Sequence, residues 1–447
     1  MNKYPNDIGV GVPNVLLPKP TTDFSKWAVV ACDQYTSEKE YWEEAKAYIG
    51  SEPSTLNLIL PEAYLGQPGE AERIKAIQAG MREYLASGVL EEQETGFVFV
   101  HRQAEGKERL GLILALDLEQ YDYKKGATTL IRATEGTIVE RIPPRLRIRE
   151  GAPLELPHIL VLIDDPGRTV IDPLAKMTAR MKTLYDTDLM KGGGHVSGHL
   201  VSREEDIKAV LDALAALTDK AAFEAKYGAG HAPLLFAMGD GNHSFATAKA
   251  AWENIKKTLS PAEQETHPAR YALVEIENVH DDGIVFEPIH RVLFGVAPEI
   301  AVERLEKLLA AENGKVLTRY YANAEDLAHA VHHSENGAHM LPFYFGEKTG
   351  CFEVQTPKQQ LSVGTLQNAI DALLKEFIHS EVDYIHGADV VKKLSKNPDT
   401  VGFLLPAMKK SELFPTVVYD GALPRKTFSM GEACEKRYYM ECRKILP

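Results

Sequence analysis

Pro233-Leu-Leu-Phe-Ala-Met238-Gly-Asp240-Gly-Asn242-His243-Ser244, followed by the alanine-rich stretch Phe245–Lys257, decides how this chain is read. The apolar run to Met238 has the length of a buried strand, a glycine-flanked turn follows it, and the alanine-rich stretch predicts a helix. A helix opening at such a turn presents amide N–H groups without intrahelical acceptors and the positive end of its dipole, and both favour an anion. Gly239 and Gly241 permit close backbone approach. Ser244 can cap the helix or hydrogen-bond a phosphoryl oxygen, and His243 can donate a proton or stabilise negative charge. Asp240 can orient His243, hold a metal or act as a nucleophile. The plainer alternative is a well-capped turn with a structural histidine, since junctions rich in Gly, Asp and Ser are common.

Outward from this junction, Pro157–Ile163 reads as a buried strand. Tyr271–Val279 and Ile284–Val292 read as two more, joined by the turn His280-Asp281-Asp282-Gly283, whose paired carboxylates can also bind magnesium. Trp27–Ala31 reads as a buried strand, Glu70–Ser87 as an amphipathic helix stopping at Gly88, and Phe97–Arg102 with Arg109–Asp117 as a hairpin. Ser202 with Glu205 matches a capping box that opens a helix. Further on, helices are expected at Pro298–Ala311, Ala324–His333 and Thr365–His379, with a hairpin over Phe343–Val354. No internal repeat is visible. Strands mixed with helices predict an α/β to α+β fold, divided as 1–125, a motif-bearing core at 126–295, and a C-terminal α+β portion at 296–447.

Composition bounds the class. The 447 residues are 44% hydrophobic and 26% charged, which suits a soluble globular protein and excludes a disordered one. Only 4 Cys excludes a disulfide scaffold. Cys32, Cys351, Cys434 and Cys442 show no CxxC pairing and read as free thiols in a reducing compartment. No signal peptide or membrane-length apolar run is visible, so a cytoplasmic location is expected. With 50 Lys+Arg against 64 Asp+Glu the formal charge is −14, which opposes binding to nucleic acid or anionic membranes. No Walker A loop, GxGxxG fingerprint or GxSxG elbow is present, which disfavours P-loop kinases, Rossmann dehydrogenases and α/β-hydrolases.

A second signal is the arginine-rich segment after Ile131. Arg132, Arg141, Arg145, Arg147 and Arg149 crowd it, and on an acidic chain they suggest a positive pocket for phosphate or carboxylate. Glu135 and Glu140 are candidate bases within it. The plainer alternative for Arg145, Arg147 and Arg149 is the exposed face of a strand, since they alternate with Leu146 and Ile148. His195 and His199 have a spacing that suits a metal on a helix, but Gly192, Gly193, Gly194 and Gly198 predict a loop, one that can cover a substrate. His329, His332 and His333 are expected on the surface of a polar helix.

Asp240-Gly-Asn-His243-Ser244 before an alanine-rich helix resembles the Asp-Gly-His-His-Arg motif of DUF1015, a large uncharacterised bacterial family. Ile131-Arg-Ala-Thr-Glu135-Gly-Thr137 is similar to that family's Arg-His-Glu-x-Thr segment. Pro288-Ile-His290-Arg291 and Leu423-Pro-Arg-Lys426-Thr427 are similar to two more of its segments. The motif also resembles one in the ParB/sulfiredoxin superfamily, which includes free-serine kinases. The resemblance implies a ParB/sulfiredoxin-like mixed-sheet core with N- and C-terminal α+β elaborations. It implies that Asp240, Gly241 and His243 hold a transferring phosphoryl group, with Glu135 as the base. Asn242, Ser244, Arg132, Thr137, Arg141, His290, Arg291 and Lys426 complete the expected phosphate and substrate site. Two departures stand out: Asn242 replaces a His and Ser244 replaces the Arg, which removes a fixed positive charge.

The leading expectation is therefore phosphoryl transfer to or from a small hydroxy amino acid, as a serine-kinase-like enzyme or a phosphoserine phosphatase. Mg²⁺ and, for a kinase, ATP or ADP are the expected cofactors. The partner is a small phosphorylated metabolite, with a homodimer as an open alternative. Two competing readings remain: a non-catalytic phosphometabolite-binding protein, and a metal-dependent hydrolase using His195, His199 and His243.

Overall fold

The computed structural model describes residues 4–332 and 337–447. The chain gathers into two compact units, Met1–Val285 with Met430–Pro447, and Phe286–Ser429. No helix among the described residues is long and apolar enough to cross a membrane.

A ten-stranded mixed sheet forms the larger unit. Lys182–Leu189, Gly194–Val201, Phe97–Ala104, Lys107–Asp117 and Tyr271–Asn278 run antiparallel in that order. Leu160–Ile163 then lies parallel to Tyr271–Asn278, and Phe236–Asp240 antiparallel to Leu160–Ile163. Ile131–Arg132 and Tyr121–Asp122 complete the order, each parallel to its neighbour, and Val10–Gly11 pairs with Lys107–Asp117. Strands from 1–125 and from 126–295 thus share one sheet. Alternate residues of each strand face opposite sides. Val98, Val100, Ile113 and Leu273 enter one apolar core, and Phe97, Phe99, Leu112, Leu114, Val274 and Ile276 the other. Both faces are therefore covered.

The hairpin at 97–117 and the helix Glu70–Ala86 form as the apolar spacing predicts. Several local expectations are corrected. Arg145, Arg147 and Arg149 sit on a helix, Ile142–Arg149, and not on a strand. Pro143 and Pro144 occupy its first positions, where a missing N–H costs no hydrogen bond, and alternation over eight residues spans too few turns to separate the two periods. The glycine-rich stretch at 192–198 lies largely in the strand Gly194–Val201. Gly198 serves close packing, since a Cβ there would come within 2.2 Å of the Tyr185 ring. Ser202 and Glu205 form no capping box, because the helix starts at Glu204 without a side-chain cap. Trp27 ends a short helix, and Val30 makes only an isolated bridge with Tyr438. Ile284–Val292 is not one strand: Phe286–Pro288 and His290–Phe294 belong to different sheets of the smaller unit.

The smaller unit holds a six-stranded antiparallel sheet ordered Val316–Tyr321, Lys348–Val354, His339–Phe345, Thr400–Phe403, His290–Phe294, Glu381–Ile385. The helices Pro298–Asn313 and Ser362–Glu376 pack on each other. The helix Ala324–His332 carries His329 and His332, and His333 lies outside the described residues.

The chain then returns to the larger unit. From Glu435 to Arg443 nearly every residue is buried, including Lys436, Arg437 and Glu441. Arg437 pairs with Glu275 and Glu441, and Arg443 with Glu155, so the buried charges arrive partnered.

Candidate functional site

The strand Phe236–Asp240 and the helix Asn242–Lys256 meet at Gly241, which caps the helix in a left-handed conformation with φ of +79°. A Cβ there would also come 3.1 Å from Ile159 Cα, a tight contact that adds to the positive φ in favouring glycine. Phe245 N–H makes the first intrahelical bond, to Gly241 O, and no side chain caps the helix. The amides of Asn242, His243 and Ser244 thus have no acceptor within the helix, and the dipole's positive end lies among them. The buried Phe245, Ala248 and Trp252 anchor the helix on the sheet.

Asp240 accepts the Gly241 N–H at 2.9 Å, which holds the turn. Its other oxygen lies 3.1 Å from the Lys436 ammonium. Burial pushes the carboxyl up, but Lys436, His158 and the Gly241 N–H together outweigh burial and hold it below the usual carboxylate range. Lys436 is 6% exposed and was not foreseen. Its ammonium balances the Asp240 carboxylate at the turn.

The parallel pairing of Ile131–Arg132 with Phe236–Ala237 brings the segment after Arg132 alongside the turn. Thr134 donates to Met238 O at 2.6 Å, and Ile138 N–H reaches His243 Nε2 at 3.4 Å. The segment from Thr134 to Ile138, which includes Glu135 and Thr137, therefore runs beside Met238–His243. The Thr137 hydroxyl and the Asn242 amide oxygen are buried polar atoms with no hydrogen-bond partner. Buried polar groups are nearly always paired, so each such group needs an explanation, and an unbound ligand is one.

Other predicted residues have different employment. Arg132 is buried, and its guanidinium donates to Thr129 O at 2.7 Å, Ala232 O at 2.9 Å and Pro233 O at 2.8 Å. It ties two loops together. Ser244 does not cap the helix; its hydroxyl meets His158 Nε2 at 3.0 Å. The other nitrogen of His158 meets Tyr439 Oη at 2.7 Å, and Asp33 lies 3.6 Å from Nε2. Arg141 is exposed, whereas Arg145, Arg147 and Arg149 pair with Glu62, Glu70 and Glu155.

His195 and His199 lie on one strand face. His195 sits between Asp188 at 2.8 Å and Asp186 at 2.7 Å, and these carboxylates raise its pKa, whereas burial lowers that of His199. Among the described residues no group of three or more His, Cys, Asp or Glu side chains is placed to hold a metal. His290, Arg291 and Lys426 belong to the smaller unit. His290 accepts the Leu405 N–H at 3.1 Å, and burial, aided by Arg291, pushes its pKa down to about 4. Arg291 is wholly buried, donating to Gln367 Oε1 at 3.1 Å, Lys426 O at 2.9 Å and Arg425 O at 2.8 Å, which pins that loop to the sheet.

Fold and site together define a mixed α/β protein with a glycine-capped strand–turn–helix junction. The chain belongs to the family DUF1015, described as "Protein of unknown function", whose model matches residues 16–373. No curated protein matches it. Among solved structures it is similar to a conserved hypothetical protein from Pyrococcus furiosus, at 12% identity and a TM-score of 0.35, covering 75% of this chain and 95% of that one. A free serine kinase in complex with AMP gives 13% identity and a TM-score of 0.37 over 75% of this chain and 91% of that one. SbnI from Staphylococcus aureus gives 10% and 0.33 over 71% and 82%.

Proposed function

We propose that the Asp240–Ser244 junction binds a phosphoryl group and that the protein transfers it between a nucleotide and a small hydroxy compound. The ParB/sulfiredoxin-like core implied by the motif belongs to the same proposal. One observation carries it: the amides that open the helix lie beside two buried polar groups without partners, Asn242 and Thr137. A phosphoryl group supplies acceptors for the amides and the Thr137 hydroxyl, and for the Asn242 side chain with its amide turned.

In this reading Asp240 fixes the turn through the Gly241 N–H, and Lys436 neutralises the Asp240 carboxylate so that it does not repel the anion. The acceptor hydroxyl attacks phosphorus, the bond to the nucleotide's bridging oxygen breaks, and the nucleotide leaves with that electron pair. Glu135 in the adjacent segment takes the hydroxyl proton, while His243, whose Nε2 accepts the Ile138 N–H and whose Nδ1 therefore carries the ring proton, donates to the transferring group. Arg132 has no part, because its guanidinium is committed to backbone carbonyls. The junction's donor set fits a phosphoryl group.

The test measures transfer from ATP and from ADP to serine and other small hydroxy compounds, alongside phosphate release from their phosphate esters. Transfer is expected, with His243→Ala lowering the rate at least a hundredfold. Phosphate release alone would make the protein a phosphatase and overturn the nucleotide half of the proposal. Binding of phosphate without any turnover would overturn catalysis.

A further inference from the structure

Behind the first turn of the helix that opens at Gly241 lies a cavity of about 140 Å³. Its walls are mostly apolar, with Leu58, Leu60, Met81, Ile148, Leu154 and Leu273 among them. Ser244 and Thr247, one helical turn apart, line it from the helix, and Ile159 lines it from beneath Gly241. Cavity and phosphoryl junction are therefore neighbours, sharing the first turn of one helix.

Charge and size restrict what the cavity takes. Its two arginines are already paired, Arg145 with Glu62 at 2.5 Å and Arg149 with Glu155 at 2.6 Å, and Glu155 also pairs with Arg443. A charged ligand group would find no uncommitted counter-charge there and would have to shed its hydration. An apolar cavity of about 150 Å³ admits benzene, so this one matches a six-membered ring or a branched chain of about six carbons. Besides the two ion pairs, Ser244, His158 and Tyr439 in the lining form a hydrogen-bonded line. A hydroxyl on the ligand can join that line.

We infer that this cavity holds the uncharged aryl or branched-alkyl group of the phosphoryl acceptor, with the acceptor's hydroxyl beside Ser244. The inference rests on the phosphoryl-transfer reading above. It makes the preferred acceptor an apolar alcohol and not serine.

Benzyl alcohol and serine serve as the two probes. Saturable binding of benzyl alcohol to the whole protein is expected by ligand-observed NMR and by a rise in Tm. Ala152→Leu, which places a larger side chain in the lining, is expected to weaken that binding at least tenfold. Leu60→Ala, which enlarges the cavity, keeps the inference testable if the first variant folds poorly, and is expected to shift preference toward 2-phenylethanol. With ATP as donor, benzyl alcohol is expected to be phosphorylated at least tenfold faster than serine. Transfer to serine without binding of benzyl alcohol overturns this inference and leaves the phosphoryl-transfer reading standing. Saturable binding of benzyl alcohol without transfer to any hydroxyl overturns the acceptor assignment together with that reading. Binding unchanged in both variants shows the probe sits elsewhere and also overturns it.

Discussion

Removing the Lys436 ammonium tests the electrostatics of the junction directly. Two unit charges 3.1 Å apart, as in Lys436–Asp240, attract by about 5 kcal/mol at an effective dielectric near 20. The Asp240 side chain is 25% exposed and that of Lys436 8%, so water screens part of this. About 3 kcal/mol remains, in the range found when one partner of a buried pair is deleted. Lys436→Met is therefore expected to destabilise the larger unit by about 3 kcal/mol, read by urea denaturation at pH 7. Asp240→Asn in the same background should recover about 2 kcal/mol, because the stranded carboxylate is gone. The pH dependence changes sign. In the wild type Asp240 is held below its ordinary value of 3.8, so its contribution is full above that value and is lost as pH falls through the folded pKa. In Lys436→Met burial is opposed only by weaker partners, the pKa moves upward, and stability declines as pH rises through the carboxylate range. Inorganic phosphate should bind about tenfold more weakly to the same variant, a difference of about 1.4 kcal/mol. Strict additivity in the double variant, with unchanged phosphate affinity, would refute both the coupling and the role of Lys436 in the junction.

Arg132→Met should cost about 3 kcal/mol, since three loop carbonyls lose their donor, yet leave phosphate affinity within twofold. A large loss of affinity in the folded variant would return Arg132 to the binding site. Glu277 is wholly buried, and its carboxyl is pushed up to about 8 from 4.5, because burial outweighs Arg109 at 2.7 Å and the nearby Glu275 and Asp281 add to it. The folded state then holds a proton that the unfolded state releases, so stability falls as pH rises from about 4.5 to about 8, by at most about 5 kcal/mol. Glu277→Gln should flatten that segment of the stability curve, and parallel curves for the two proteins would refute the assignment.

What sequence can and cannot carry here follows from the range of the interactions involved. The strand, turn and helix around Asp240 were legible because each depends on neighbours a few residues away: an apolar run, a glycine that must take positive φ, and an alanine-rich helix former. The hairpin at 97–117 and the helix Glu70–Ala86 were legible for the same reason. Arg145, Arg147 and Arg149 were misread because eight residues give only two helical turns, and only the pairing with Glu62, Glu70 and Glu155 reveals which way each points. Arg132 was legible as a cation, but its role depends on carbonyls at 129, 232 and 233 that only the folded chain assembles around it. Lys436 is the clearest case. It follows Asp240 by almost two hundred residues, in a segment whose charged letters suggest a solvated surface, and its burial depends on partners such as Glu275 and Glu441 for its neighbours. A motif read by its letters alone therefore understates its electrostatics. Where Ser244 stands in place of the pattern's arginine, a tertiary contact still brings a cation to the junction, Lys436, which balances the Asp240 carboxylate. The Ser244 side chain meets His158 and lines the apolar cavity, a contact that depends on the fold and that its place in the motif does not reveal.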